Sequence, residues 1–106
     1  MNASWIIEEY GEGTCGMLVR GELDLEAERP LVDAVSAFFE AAPQTTLVID
    51  LREVRFIDSS GVRALLLLHQ VHGERVRVGD VSEQVARVLE IAGLTGRLDG
   101  GGVGAQ

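Results

Sequence analysis

An α/β fold, a mixed β-sheet with helices packed on it, is what this sequence predicts. Three observations point there. Two strand-like segments open the chain, joined by the turn signal Gly11-Glu12-Gly13. A short apolar run rich in β-branched residues, Leu47-Val48-Ile49-Asp50-Leu51, suits a strand covered on both faces. Three segments with apolar residues at helical spacing follow, each placed after a strand.

The elements are expected in the order β-β-α-β-α-β-α. Trp5 to Tyr10 reads as the first strand. Thr14 to Leu23 reads as the second, with Cys15, Met17 and Val19 at period two, and the pair should form an antiparallel hairpin. Gly21-Glu22-Leu23-Asp24 closes that strand and brings two carboxylates to one end of the sheet, which taken alone is an ordinary solvated strand end. Glu26 to Ala42 is a helix whose stripe is Leu31, Val35, Phe38, Phe39 and Ala42, while Asp33, Ser36 and Glu40 face away. Pro30 suits only a first turn, so regular helix is expected to begin within a residue or two of it, and Pro43 ends it.

The central strand, Leu47 to Leu51, is followed by a polar connection at Arg52-Glu53 and an apolar return at Val54, Phe56 and Ile57. A second helix runs from Ser60 to His72 and stops at Gly73. It is apolar on nearly all sides from Val62 to Leu68 and should be largely buried. Glu74 to Asp80 is a strand with Val76 and Val78 alternating with Arg75 and Arg77. Ser82 is the N-cap candidate of a third helix, whose stripe is Val85, Val88, Leu89 and Ala92 and whose stop is Gly93. Leu94 and Leu98 suit a last short strand. Residues 1–99 are thus expected to form one domain, and residues 100–106, glycine-rich, a flexible tail.

Composition narrows the function. The chain has 106 residues and 46% hydrophobic content, enough for one small core and too much for disorder. No apolar run approaches the ~18 residues of a membrane span, and the N-terminus has no secretory signal pattern, so a cytoplasmic protein is expected. The 17 acidic residues against nine arginines and no lysine give a net charge of −8. That charge disfavours nucleic acid and anionic lipid as partners, since both are bound by neutralising phosphates. The single Cys15 fits a reducing compartment and reads as a small strand residue.

The chemistry concentrates at Asp58-Ser59-Ser60-Gly61, between a strand and an apolar helix. Asp and Ser are favoured helix caps because their oxygens accept bonds from orphaned N–H groups, and capping alone is a sufficient reading. The second reading is a regulatory phosphorylation site. A phosphate adds about −1.5 to −2 charge, which the helix N-terminus tolerates and a docked partner does not. Gly61 would let a partner's backbone come close. In α/β sheets this edge is where ligands and partners bind.

Competing chemistries are weaker. His69 and His72 could share a helical face, but two imidazoles without a third ligand are poor evidence for a metal. Ser59 as a hydrolase nucleophile lacks both the Gly-x-Ser-x-Gly elbow and a histidine in a loop. The early glycines precede no helix, so no phosphate-binding loop is expected. No catalytic residue, cofactor or metal is expected.

Gly21-Glu22-Leu23-Asp24, Ile49-Asp50-Leu51, Phe56-Ile57-Asp58-Ser59-Ser60-Gly61 and Ile91-Ala92-Gly93-Leu94 together resemble an anti-sigma factor antagonist with a STAS domain, over about residues 5 to 98. The resemblance implies a protein that binds an anti-sigma factor serine kinase of the histidine-kinase-like ATPase fold. That kinase would phosphorylate the first serine of the motif, Ser59, and phosphorylation would break the complex and free the kinase to hold its sigma factor. A serine phosphatase would reverse the mark. Asp24 matches the family's aspartate beside the site, Asp58 caps the helix, and Ser60 is the neighbouring serine; with Glu22, Gly61 and Arg63 they are the expected partner-binding residues. Arg63 stands where a small residue is familiar in the family and could pair with the phosphate across one turn. The glycine-rich tail stands where many relatives continue into another strand and helix. The alternative is a STAS subunit of a membrane transporter complex, in which the motif serine is often replaced. The Ser59-Ser60 doublet favours the antagonist.

Overall fold

The structure is a computed structural model and describes residues 3–91. Strands β1 (Ala3–Gly11) and β2 (Thr14–Leu23) pair antiparallel around the Glu12-Gly13 turn. Helix α1 (Leu25–Ala41) leads to β3 (Thr46–Ile57), and α2 (Ser59–His72) leads through a single 3-10 turn (Gly73–Arg75) to β4 (Val76–Val81) and α3 (Glu83–Ile91). The strand order is β1-β2-β3-β4, with β2, β3 and β4 mutually parallel. The expected order of elements is the observed one. Ala92, Gly93, Leu94, Leu98 and the 100–106 tail lie outside the described residues.

One buried cluster joins the layers. Met17, Val19 and Leu23 of β2 and Leu47, Ile49 and Leu51 of β3 meet Leu31, Val35 and Phe39 of α1, Ala64, Leu65 and Leu68 of α2, and Val85 and Leu89 of α3. The run 47–51 is therefore one-sided: its odd residues enter the core, while Val48 on the other face is only half-buried. Ser82 ties α3 to the sheet, its hydroxyl donating to the Val54 carbonyl (2.8 Å) and accepting from the Val85 N–H (3.2 Å).

Three further expectations need correction. Leu47–Leu51 and Val54–Ile57 are one strand, not two pieces with a connection between them. The β2–β3 register slips between Leu18/Arg20 and again between Gly21/Glu22, each time with an extra residue on β3. Such bulges admit polar residues without ending the strand. Asp50, buried at the first bulge, accepts from the Arg52 N–H (3.0 Å) and pairs with the Arg52 guanidinium (2.9 Å). Second, α1 begins at Leu25, so Pro30 lies inside it, beyond the first turn. Asp24 caps the helix upstream of the proline. Third, α2 is not largely buried, because Leu67 and Val71 face outward at 39% and 62% exposure.

Candidate functional site

Leu23 and Ile57 end two parallel strands as register partners. Each is followed by an aspartate, Asp24 and Asp58, in the same extended conformation (φ −117°, ψ −167° and φ −117°, ψ −169°). Each aspartate opens a helix. Asp24 Oδ1 accepts from the N–H groups of Glu26 (3.1 Å) and Ala27 (3.3 Å), and Asp58 Oδ1 from those of Ser60 (2.9 Å) and Gly61 (3.2 Å). The Asp58 N–H donates to the Leu23 carbonyl (3.2 Å), locking the two turns together. Two carboxylates and two helix N-termini thus share one edge of the sheet, held by the core beneath.

The two serines of the motif are not equivalent. Ser59, the first residue of α2, is exposed, whereas Ser60 is 8% exposed with its hydroxyl turned toward Arg63 (Nη2 to Oγ 3.5 Å). Gly61 is buried against the end of β2. A methyl group there would run into the Leu23 carbonyl oxygen and lie 2.7 Å from Ile57 Cγ1. The glycine is required by the protein's own strand end, so the sequence expectation that it admits a partner's backbone is corrected.

Arg63 forks onto α1. Its Nε and Nη2 donate to Glu28 Oε2 (2.8 Å) and Oε1 (2.9 Å). These hydrogen bonds hold the Glu28 carboxyl below the usual glutamate range and push the Arg63 guanidinium up. Glu22 is half-buried and paired with Arg55 at 3.7 Å. Beside Ser59 lies a cavity of about 300 Å³ lined by Asp58, Ser59, Val62, Val88 and Ile91. Ile91 is 82% exposed, and Leu25 and Phe56 also stand outward near this edge at 67% and 48%. Sequence reasoning missed Glu28, whose partner is 35 residues away, and missed the cavity, since Val62 and Val88 read simply as core.

The remaining candidates lie elsewhere. His72 stacks on Phe39 (centroids 4.6 Å apart), and Arg75 covers the same ring at 4.3 Å. Burial, and then the charge of Arg75, lowers the His72 pKa. Among the described residues no group of three or more His, Cys, Asp or Glu could hold a metal ion, and no helix is long and apolar enough to cross a membrane.

A family model described as "Mlab, STAS domain" matches residues 10–100. An anti-sigma factor antagonist from Mycobacterium paratuberculosis, solved by crystallography, is similar over 88% of this chain and 80% of its own, with 26% identity and a TM-score of 0.74. The anti-sigma factor antagonist SpoIIAA in its unphosphorylated form gives 23% identity and a TM-score of 0.71 over 86% of this chain and 82% of its own. Phosphorylated SpoIIAA, a Bacillus cell fate determinant, gives 22% and 0.66 over 91% and 88%. The two SpoIIAA likenesses are likenesses of fold. A search of curated proteins returned no match.

Proposed function

This chain belongs to the STAS domain family, and on that premise we propose that it is an anti-sigma factor antagonist switched by phosphorylation of Ser59. Unphosphorylated, it binds an anti-sigma factor serine kinase of the histidine-kinase-like ATPase fold and keeps that kinase from its sigma factor. Phosphorylated, it lets go, and a serine phosphatase restores it. On this reading the protein works in the cytoplasm, is a substrate rather than an enzyme, needs no cofactor, and meets neither nucleic acid nor membrane directly.

The observation that carries the reading is the contrast between an exposed Ser59 and a buried Ser60 on the first turn of α2. A kinase reaches the first hydroxyl without unfolding anything. In the transfer, Ser59 Oγ forms a bond to the γ-phosphorus of ATP, the bond from that phosphorus to the bridging oxygen of ADP breaks, and the hydroxyl proton passes to a base on the kinase. The surface around Ser59 suits a protein partner. Apolar side chains at Leu25, Phe56 and Ile91 and the adjacent cavity offer anchoring contacts, and Asp24 and Asp58 supply an acidic rim for a basic surface.

The same arrangement explains release. The Ser60 and Gly61 N–H groups are already taken by Asp58, so a phosphate on Ser59 gains nothing from them and sits beside a like charge. A partner whose apolar contacts close over Ser59 must strip water from that phosphate, an effective cost of several kcal/mol that one arginine beside it repays only in part. A loss of about 3 kcal/mol already weakens binding more than a hundredfold.

Affinity capture from native extract with wild type and Ser59→Asp as baits tests the switch. An ATPase-fold kinase held by wild type and lost with Ser59→Asp is expected. The same partners on both baits would overturn it, and transporter subunits on both would move the assignment to a transport-associated STAS module.

A further inference from the structure

We propose that Arg63 is an exchangeable clamp: it holds α1 through Glu28 in the unmodified protein and moves to the phosphate when Ser59 is phosphorylated, freeing Glu28. The proposal rests on Ser59 being the modified residue and adds what its phosphate does inside the molecule.

Geometry supplies the competition. Ser59 and Arg63 are four residues apart on α2, a spacing that puts side chains on one helical face within about 5–6 Å at Cβ. Helical side chains lean toward the N-terminus, so Arg63 reaches back over the first turn. The observed Nη2 to Ser60 Oγ distance of 3.5 Å shows that reach. Its fork is now spent on Glu28, a single carboxylate, and that pair is exposed enough at Arg63 (58%) for the side chain to swing.

A phosphoserine changes the balance. It brings about −1.5 to −2 charge and three acceptors against the one negative charge of Glu28. Two first-turn amides that would otherwise receive it, those of Ser60 and Gly61, are bonded to Asp58, and the Asp58 carboxylate repels it. Arg63 is the one arginine on α2. Guanidinium is the group best suited to a bidentate grip on phosphate.

Exchange has a readable consequence on α1. Glu28 loses the hydrogen bonds that lower its pKa, and its carboxylate is released beside Leu25, Arg29, Val32 and Leu67, which line a second cavity of about 320 Å³. The phosphate signal is thereby carried from α2 to the neighbouring helix, where a partner can sense a surface that Ser59 itself does not touch.

The test needs no kinase. Phosphoserine is installed at position 59 during translation, and the phosphate's second ionisation is followed by 31P NMR in otherwise wild-type protein, in Arg63→Gln and in Glu28→Gln. The Glu28 carboxyl carbon is followed with and without the phosphate. The phosphate is expected to ionise about half a pH unit lower with Arg63 present than in Arg63→Gln, and lower still in Glu28→Gln, where the competitor is gone. The Glu28 resonance is expected to move on phosphorylation toward its position in Arg63→Gln. Coincident 31P titrations in wild type and Arg63→Gln, or a Glu28 resonance indifferent to the phosphate, would overturn the exchange. Because the phosphate is supplied, that failure leaves the kinase reading intact, whereas failure of the kinase reading shows as unchanged partners in the capture experiment and not in these titrations.

Discussion

Adjacent hydroxyls at Ser59 and Ser60 meet opposite surroundings because a helix turns about 100° per residue and only one of two neighbours can face the core. The register of α2 over the core fixes which one. The Asp58 carboxylate accepts from the Ser60 and Gly61 N–H groups, which anchors the turn without help from the Ser59 hydroxyl. Asp58→Ala should therefore cost about 0.5–2 kcal/mol in urea denaturation. Ser59→Ala should change stability by no more than about 0.5 kcal/mol, since an exposed hydroxyl contributes little. Comparable losses in the two variants would mean that Ser59 serves the fold rather than a switch. At this scale the Asp58 cap was legible from residue types alone, because capping is local. Whether Ser59 or Ser60 was accessible was not, since that depends on the register of α2 over the core. Nor was the grip of Arg63 on Glu28, a contact between two helices. The crowding at Gly61 was not legible either, because it comes largely from Leu23, far away in sequence.

Among the described residues, the strands and helices announced by periodicity are found in the expected order, and the departures have local causes. β3 runs through Arg52-Glu53 because two bulges turn polar side chains outward and restore apolar ones to the core at Val54 and Ile57. A two-residue period cannot show that. α1 outruns Pro30 because the Asp24 cap and the burial of Ala27, Leu31, Val35 and Phe39 outweigh one missing hydrogen bond. The proline still lacks the N–H that would meet the Glu26 carbonyl. Pro30 is exposed, so Pro30→Ala should raise stability by about 1–2 kcal/mol, the helical gain being partly offset by a freer unfolded chain. A higher midpoint in urea with unchanged slope is the expected result. A lower midpoint would show that the proline supports α1 in a way its position does not reveal.

For the whole molecule, stability and recognition respond to charge. Half-buried beside Phe39 and near Arg75, His72 has its pKa lowered from its ordinary 6.5, by desolvation first and then by the charge of Arg75. The unfolded chain therefore takes up that proton at a higher pH than the folded protein does. The histidine's stabilising contribution is complete above about 6.5 and is lost as pH falls from there through the folded value. Thermal unfolding between about pH 7.5 and about pH 5.5 should show wild type losing more stability than His72→Gln. Equal losses would place the sensitivity elsewhere. The net charge of −8 was legible from residue counts alone. The apolar surface beside Ser59 was not legible, because it is assembled from α2 and α3.

The most direct measurement of the proposed switch asks whether Ser59 receives a phosphate. The protein is incubated with ATP in extract from cells that make it, recovered, and mapped by peptide mass spectrometry, with Ser59→Ala and Ser60→Ala alongside. A phosphate on Ser59, absent from Ser59→Ala and retained in Ser60→Ala, is the predicted result. A phosphate on Ser60 with Ser59 unmodified would contradict it, because a buried hydroxyl would then be the switch and the exposed one beside it would not.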